Sequence, residues 1–317
     1  MINTVAKIEL PAGEALQIKK QRILPPDYDE TKKYKRICIV TGIHGDELEG
    51  QYVCYKLSEY LRSGHDHLNG IVDIYPALNP FGIDTVTRGI PAFDLDMNRI
   101  FPGNADGNMN EYVAALITKD IEGADLCVDI HASNIYLTEV PQIRINEITE
   151  ETLVPIAKHM NVDFIWIHSN STVLESTLAY SMNKAGVPTL VVEMGVGMRI
   201  TKEFGDQLVD GIIDTMKYLG AWNGPAADVR TPVISDDPDG VEFLNAPSAG
   251  VFIKDAEAGT HVKKGDAVGR LVDPLGGELL SEIKAPGDGW LFTIREYPIV
   301  AEGSLMGRIL KEGSSRK

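Results

Sequence analysis

The chain has 317 residues, enough for one large domain and a smaller one, and its hydrophobic fraction of 44% supports a buried core. The formal net charge of −16 argues against nucleic acid and an anionic membrane as partners, although local arginines could still hold an anionic substrate. No apolar run approaches the roughly 20 residues that span a bilayer, and no signal peptide is evident. The three cysteines are an odd number and are expected to be reduced, so we expect a cytoplasmic protein.

The first two-thirds of the chain alternates strand-like and helix-like segments. Apolar runs predict buried strands at 36–43, 71–76, 126–130 and 189–192. Helical spacing of apolar residues predicts helices near 47–62, 106–121, 150–159, 177–185 and 204–219. This alternation predicts an α/β fold with a mixed, mostly parallel sheet and helices on both faces. In such sheets, ligands bind beyond the carboxyl ends of the strands.

The character of the sequence changes after Trp222. Residues 225–240 are rich in Pro, Gly and Asp, which predicts a linker between a catalytic domain at 1–224 and a small all-β module at 241–312. A disordered tail is expected at 313–317. The module resembles a biotinyl/lipoyl-type barrel sandwich, but the segment expected at its hairpin tip, 273–278, has no lysine to carry a prosthetic group. We therefore expect a structural module that covers or narrows the mouth of the active site.

Potential metal ligands directly follow predicted strands. His44 and Glu47 follow the first strand, His131 follows the third, and Glu193 ends the last. Two histidines and one glutamate form a three-ligand zinc site with an open position, and the other glutamate is then available as a general base. Asp129 could orient the imidazole of His131. Cobalt or nickel would also suit these ligands, and the set favours hydrolysis of an amide or ester.

Four motifs carry a family resemblance, and they lie in order at 42–47, 96–103, 129–131 and 192–195. They read Gly-Ile-His-Gly-Asp-Glu, Asp-Met-Asn-Arg-Ile-Phe-Pro-Gly, Asp-Ile-His and Val-Glu-Met-Gly. With them the chain resembles the succinylglutamate desuccinylase/aspartoacylase family, a deacylase branch of the zinc carboxypeptidase-like fold, over nearly its whole length. The resemblance implies one zinc ion held by His44, Glu47 and His131. It also implies that Glu193 is the general base.

The resemblance further implies which residues handle the substrate. Asn98 and Arg99 match the pair that holds a substrate carboxylate. Arg88 matches the arginine that helps to polarise the scissile carbonyl, and Arg144 is placed at the acyl side of the pocket. The chain departs from the named enzymes at 101–103 and in its extended C-terminal module, so their particular specificities are not implied.

From this pattern we expect a zinc-dependent deacylase that hydrolyses the amide bond of an N-acyl amino acid or a similar small carboxylate-bearing substrate. A metallocarboxypeptidase acting on short peptides is the first alternative, because a free C-terminal carboxylate would use the same Asn98 and Arg99. A catalytically silent binding protein is the second alternative. The partner expected is a small N-acyl molecule, with neither nucleic acid nor membrane, and the sequence leaves a homo-oligomer open.

Overall fold

The computed structural model describes residues 1–10, 12–169 and 174–316. Strands in the first part of these residues are β1 (Ile2–Glu9), β2 (Ala15–Ile23), β3 (Arg36–Thr41), β4 (Ile71–Tyr75), β5 (Leu126–Ala132), β6 (Leu137–Asn146), β7 (Phe164–His168) and β8 (Thr189–Gly195). Later strands are β9 (Val233–Ser235), β10 (Val241–Asn245), β11 (Gly250–Lys254), β12 (Thr260–Val262), β13 (Ala267–Asp273), β14 (Glu278–Lys284), β15 (Gly289–Arg295), β16 (Ile299–Val300) and β17 (Leu305–Lys311).

The helices are α1 (Glu49–Ser63), α2 (Pro80–Thr85), α3 (Met109–Ile121), α4 (Glu150–Ala157), α5 (Leu178–Lys184) and α6 (Lys202–Tyr218). Short 3-10 helices lie at His65–His67, Met97–Arg99 and Glu147–Thr149. Every helix predicted from apolar spacing is therefore present, with ends shifted by no more than three residues. Within the described ranges, no helix combines the length and the apolar character needed to cross a membrane.

One long sheet runs through the molecule in the order β1-β2-β4-β3-β5-β8-β6-β15-β17-β10. Strands β4, β3, β5 and β8 pair in parallel, as predicted, and so do β6, β7 and β9. The other described pairings, including β2 on β4 and β6 on β8, are antiparallel. The sheet is therefore mixed, and the parallel pairing that we expected to dominate is confined to these two groups.

Helices cover both faces of the parallel strands. Side chains alternate along β3, so Ile37 and Ile39 enter one core with α1, α4 and α6, while Cys38 and Val40 enter another core with α3 and α5. Ile39 is fully buried, and its truncation to alanine would cost about 2–5 kcal/mol of stability. Burial on both faces explains why the central strands read as continuous apolar runs.

The C-terminal strands divide between two sheets. Strands β10, β12, β15 and β17 belong to the long sheet, which they join where Thr293 of β15 pairs with Glu139 of β6. A second, antiparallel sheet has the order β14-β13-β11-β16 and packs on a core of its own. The barrel sandwich that we expected therefore does not form a closed barrel, because β15 also pairs with β6 and so joins the module to the long sheet. The hairpin expected near 273–278 joins β13 to β14.

The segment expected to be a linker contributes strand β9, which pairs with β7 in the long sheet. Arg316 contacts this strand, because its backbone N–H donates to the Ile234 carbonyl at 2.8 Å. The Arg316 guanidinium also forms ion pairs with Glu150 and Asp236. The chain end is therefore hydrogen-bonded to the sheet as far as Arg316, in a segment that we expected to be disordered.

Candidate active site

The loop after β3 places His44 and Glu47 at the carboxyl edge of the sheet. Gly42 has a φ of 69°, which favours glycine. At Gly45, a Cβ atom would lie 1.9 Å from the backbone carbon of Gly82, so a side chain cannot fit. The Gly45 N–H donates to the Thr87 carbonyl at 3.1 Å. This contact draws the loop that carries Arg88 against the one that carries Glu47.

His44, Glu47 and His131 converge as predicted. Their potential ligand atoms all lie within 4.8 Å of one another, and all three side chains are buried. The Glu47 carboxylate lies between the two imidazoles, with Oε1 at 2.7 Å from Nδ1 of His44 and Oε2 at 2.9 Å from Nδ1 of His131. Two imidazoles and one carboxylate are a donor set that suits a divalent metal ion such as zinc.

Burial and mutual charge govern titration in this cluster. Burial opposes charge on His131, but the carboxylates of Asp129 and Glu47 outweigh it and raise the pKa of His131 well above its ordinary value. Burial also opposes ionisation of Glu47, yet the two histidines lower its pKa to about 2. The two imidazoles therefore favour the ionised form of Glu47, which is the form that can bind a metal ion.

The outer nitrogens of both histidines contact aspartates. Nε2 of His131 lies 3.2 Å from Oδ2 of Asp129, an ion pair without the alignment of a hydrogen bond. Nε2 of His44 lies 3.1 Å from Oδ1 of Asp96 and hydrogen-bonds to it. Such contacts fix which imidazole nitrogen faces a metal. Sequence reasoning assigned no role to Asp96, although its place at the head of the 96–103 motif marked it.

Glu193 lies beside His131 because β5 and β8 pair in parallel with these two residues in register. Its carboxylate is 3.4 Å from the Arg144 guanidinium, and only 16% of its side chain is exposed. Burial raises the pKa of Glu193 to about 7, although Arg144 and His131 oppose the shift. A carboxyl group that titrates near neutral pH can both accept and donate a proton, which is what a general base in hydrolysis must do.

We predicted that three arginines and one asparagine contact the substrate. Their side chains differ in the hydrogen bonds and ion pairs that hold them in place. Arg88 donates to Oε1 of Glu47 at 3.0 Å and to Asp96 at 3.3 Å. Oδ1 of Asn98 accepts from the Leu178 N–H at 2.9 Å, which fixes this side chain against the start of α5. Arg99 donates to the Asn98 carbonyl at 2.8 Å, lies 3.8 Å from Asp96 and is 42% exposed where it lines the cavity.

Arg144 is held by Glu139, a buried carboxylate that sequence reasoning did not find. Glu139 contacts Arg144 at 2.9 Å on one side and Arg308 at 2.5 Å on the other, and Thr293 donates to it at 3.2 Å. Arg308 and Thr293 come from the C-terminal strands β17 and β15. Since Glu139 and Arg308 are 169 residues apart, no local pattern could have indicated their contact.

These side chains enclose one cavity of about 330 Å³. All the residues predicted for metal, catalysis and substrate line it, and so does Arg308 from the C-terminal module. Its contributors are His44, Glu47, Arg88, Asn98, Arg99, His131, Arg144, Glu193 and Arg308. The cavity is the size of a small-molecule site, and positive side chains stand on both sides of the ligand cluster.

Known proteins resemble this chain in sequence. The N-alpha-acetyl-L-2,4-diaminobutyric acid deacetylase of Halomonas elongata is 25% identical over 264 residues, which cover 81% of this chain and 76% of that protein.

Solved structures share the fold over nearly the whole length. A succinylglutamate desuccinylase from Silicibacter sp. TM1040 superposes with a TM-score of 0.81 and 21% identity, covering 97% of this chain and 94% of that one. The product-bound ectoine utilization protein EutE (DoeB) from Ruegeria pomeroyi gives a TM-score of 0.78 and 21% identity, covering 95% of this chain and 90% of that one. At this level of identity the likeness concerns the fold.

The family called succinylglutamate desuccinylase/aspartoacylase catalytic domain matches residues 33–219, which is more than half of the chain. The matched region runs from just before β3 to the end of α6. It therefore contains the His44, Glu47 and His131 cluster, Glu193 and the other residues that line the cavity except Arg308. The chain belongs to the succinylglutamate desuccinylase/aspartoacylase family.

Proposed function

We propose that the protein is a zinc-dependent deacylase that hydrolyses the amide bond of an N-acyl amino acid or a similar small carboxylate-bearing substrate. The observation that carries this proposal is the buried cluster of His44, Glu47 and His131 with Glu193 beside it. Family membership supports it, as does the relative that is named as a deacetylase of an N-acetylated amino acid.

His44, Glu47 and His131 would hold the metal. Zinc supplies Lewis acidity, which makes water a stronger nucleophile and the amide carbonyl a better electrophile.

Glu193 would act as general base and then as general acid. It accepts the proton of the attacking water and returns it to the nitrogen of the leaving amine, so that the proton balance closes over one turnover. Arg144, at 3.4 Å, favours the ionised form that starts the cycle, while burial favours the protonated form that ends it. Because these two effects oppose each other, both the ionised and the protonated form of Glu193 are accessible near neutral pH.

Substrate would be held by charge. Asn98 and Arg99 would bind its carboxylate, and Arg88 would place positive charge next to the carbonyl oxygen as negative charge develops there. Arg144, at the other end of the cavity, would line the acyl side.

A metallocarboxypeptidase acting on short peptides is the alternative, because a peptide carboxylate would meet the same Asn98 and Arg99. The volume of the cavity, about 330 Å³, favours the smaller substrate. A silent binding protein is disfavoured by the complete set of ligands and base.

The test is a substrate panel with metal analysis. The purified protein should contain about one zinc per chain and should release the amino acid from N-acetyl amino acids faster than it trims dipeptides and tripeptides. Activity should be lost with a chelator and restored by zinc. Faster trimming of peptides would favour the carboxypeptidase, and absence of any turnover by the zinc-loaded protein would favour the binding protein.

We also propose that residues 1–224 form the catalytic domain, with a zinc carboxypeptidase-like arrangement, and that the enzyme works in the cytoplasm. Support for the location comes from Cys38, Cys54 and Cys127, which are buried and unpaired.

A further inference from the structure

A second cavity of about 600 Å³ adjoins the candidate active site. It lies between α5 and the face of the sheet that carries Glu193, and the turn at Glu147–Thr149 borders it. Most of its described lining is apolar or uncharged. The apolar contributors are Ile145, Ile148, Leu153, Leu174, Ala179 and Val191. We call this space the apolar chamber.

The apolar chamber adjoins the catalytic cavity and shares part of its lining. Arg144, Leu174, Thr177, Ala179 and Val191 line both spaces. Glu193, Val191 and Thr189 point to the same face of β8 because side chains alternate along a strand. At about 3.3 Å per residue, Val191 lies about 7 Å and Thr189 about 13 Å from Glu193 along the strand. The part of the chamber wall that β8 forms therefore extends away from Glu193.

Little charge reaches the interior of the chamber. Burial lowers the pKa of His168 to about 4, with help from the positive charges of Arg144 and Arg308, so the imidazole is neutral near pH 7. The Arg144 guanidinium is turned to Glu139 and Glu193. Among the described lining residues, this leaves Lys184, whose ammonium lies 5.7 Å from the centre of the Tyr180 ring. A charged substituent would find no buried partner there, whereas an alkyl or aryl group would lose water where it contacts the apolar lining.

We infer that the apolar chamber receives an apolar substituent of the N-acylated substrate, of about four to eight carbons, and so sets the substrate class of the enzyme. This inference rests on the proposed deacylase activity. An extended chain gains about 1.2 Å per bond, so four to eight carbons measure about 5 to 10 Å, and the longer groups reach past Val191 towards Thr189. The substituent is either the acyl chain or the amino-acid side chain. Both are apolar groups attached to the same amide.

The test compares two series of substrates on the zinc-loaded enzyme. In one series the amino acid is fixed and the acyl group grows from acetyl to butanoyl, hexanoyl and octanoyl. In the other the acyl group is acetyl and the side chain grows from alanine to norvaline and norleucine. Each buried methylene should raise kcat/KM by about fourfold in the series that uses the chamber, so four should give on the order of 100-fold. A flat response in both series overturns the inference.

Two variants localise the effect. Ile148→Glu puts a charge at the rim of the chamber, on a residue that is 70% exposed. The ratio of kcat/KM for the longest and shortest substrates should fall by about tenfold or more. Ile2→Glu makes the same change at a residue of β1 that is also 70% exposed, and the ratio should not move. Ala179→Leu narrows the junction of the two cavities and should lower the same ratio. An unchanged ratio in both Ile148→Glu and Ala179→Leu refutes the inference.

A binding measurement separates failure of this inference from failure of the deacylase proposal. Calorimetry with Glu193→Gln measures affinity for N-hexanoyl and N-acetyl amino acids without turnover. Tighter binding of the longer compound, weakened by Ile148→Glu, supports the chamber even if the parent enzyme turns over none of the series. Equal affinities refute the chamber, even if the acetyl compound is a good substrate.

Discussion

Replacing Glu193 by glutamine should abolish turnover without weakening the fold. The amide is nearly isosteric with the carboxyl group but cannot accept the proton of the attacking water. Loss of general base catalysis lowers kcat by about 100-fold to 10,000-fold. Metal content should stay at the level of the parent protein, since His44, Glu47 and His131 remain. Loss of metal would instead mean that Glu193 is itself a ligand.

The same substitution makes a prediction about stability in the metal-free protein. Burial raises the pKa of Glu193 to about 7 from an ordinary 4.5. Below pH 4.5 the group is protonated in the folded and unfolded chains alike, and it contributes nothing. Between pH 4.5 and 7 the folded protein binds more protons than the unfolded chain, so its stability falls as the pH rises. Above pH 7 ionised Glu193 costs up to about 3 kcal/mol.

Glu193→Gln removes that cost. At about 2 °C per kcal/mol for a chain of this size, Tm of the metal-free variant near pH 8 should exceed that of the parent by up to about 6 °C. The difference should vanish near pH 4.5. Thermal unfolding of chelator-treated protein across this pH range measures it, with Glu278→Gln on the exposed face of β14 as control. A variant that is less stable than its parent near pH 8 would show that the carboxylate is well stabilised there, contrary to the argument.

Three further predictions address the metal, the carboxylate and the C-terminal strands. Asp96→Asn removes the charge that holds His44 and should lower zinc affinity by about 10-fold to 100-fold in metal-competition assays, whereas Asp94→Asn, at an exposed neighbour, should not. Arg99→Lys loses the bidentate fork and should lower kcat/KM for a free N-acyl amino acid but not for its methyl ester. Equal kcat/KM of the parent enzyme for acid and ester would contradict that role. Truncation near Pro238 should give unfolded or aggregated protein by circular dichroism and gel filtration, because it bares β6 and removes Phe292 from its cluster with Phe164.

The sequence was most informative where a buried strand ends in a polar residue. His131 and Glu193 follow apolar runs that could only be central strands, and parallel pairing brings such ends to one edge. The helices were also predictable, since apolar spacing marks the buried face of each; the one expected near 47–62 is Glu49–Ser63. These features depend on local pattern and a general rule of sheet architecture.

Other features depend on contacts between distant segments. Strands β1 and β2 form an edge hairpin with several exposed side chains, so neither shows the continuous apolar run of a central strand. The Glu139 cluster, which consists of Glu139, Arg144, Thr293 and Arg308, could not be predicted from the sequence either. Its members come from strands β6, β15 and β17, which are far apart along the chain. The apolar chamber arises only once α5 packs over the sheet.

The Glu139 cluster also changes the role expected for the C-terminal module. We expected that module to cover or narrow the mouth of the site. Beyond that expectation, Arg308 lines the cavity and shares Glu139 with Arg144, which in turn faces Glu193. A carboxylate that is 1% exposed needs compensating charge, and two arginines supply it from opposite sides. Arg308 and Arg144 therefore share one buried carboxylate, and Arg144 also contacts Glu193. Through these contacts the C-terminal strands contribute directly to the structure of the candidate site.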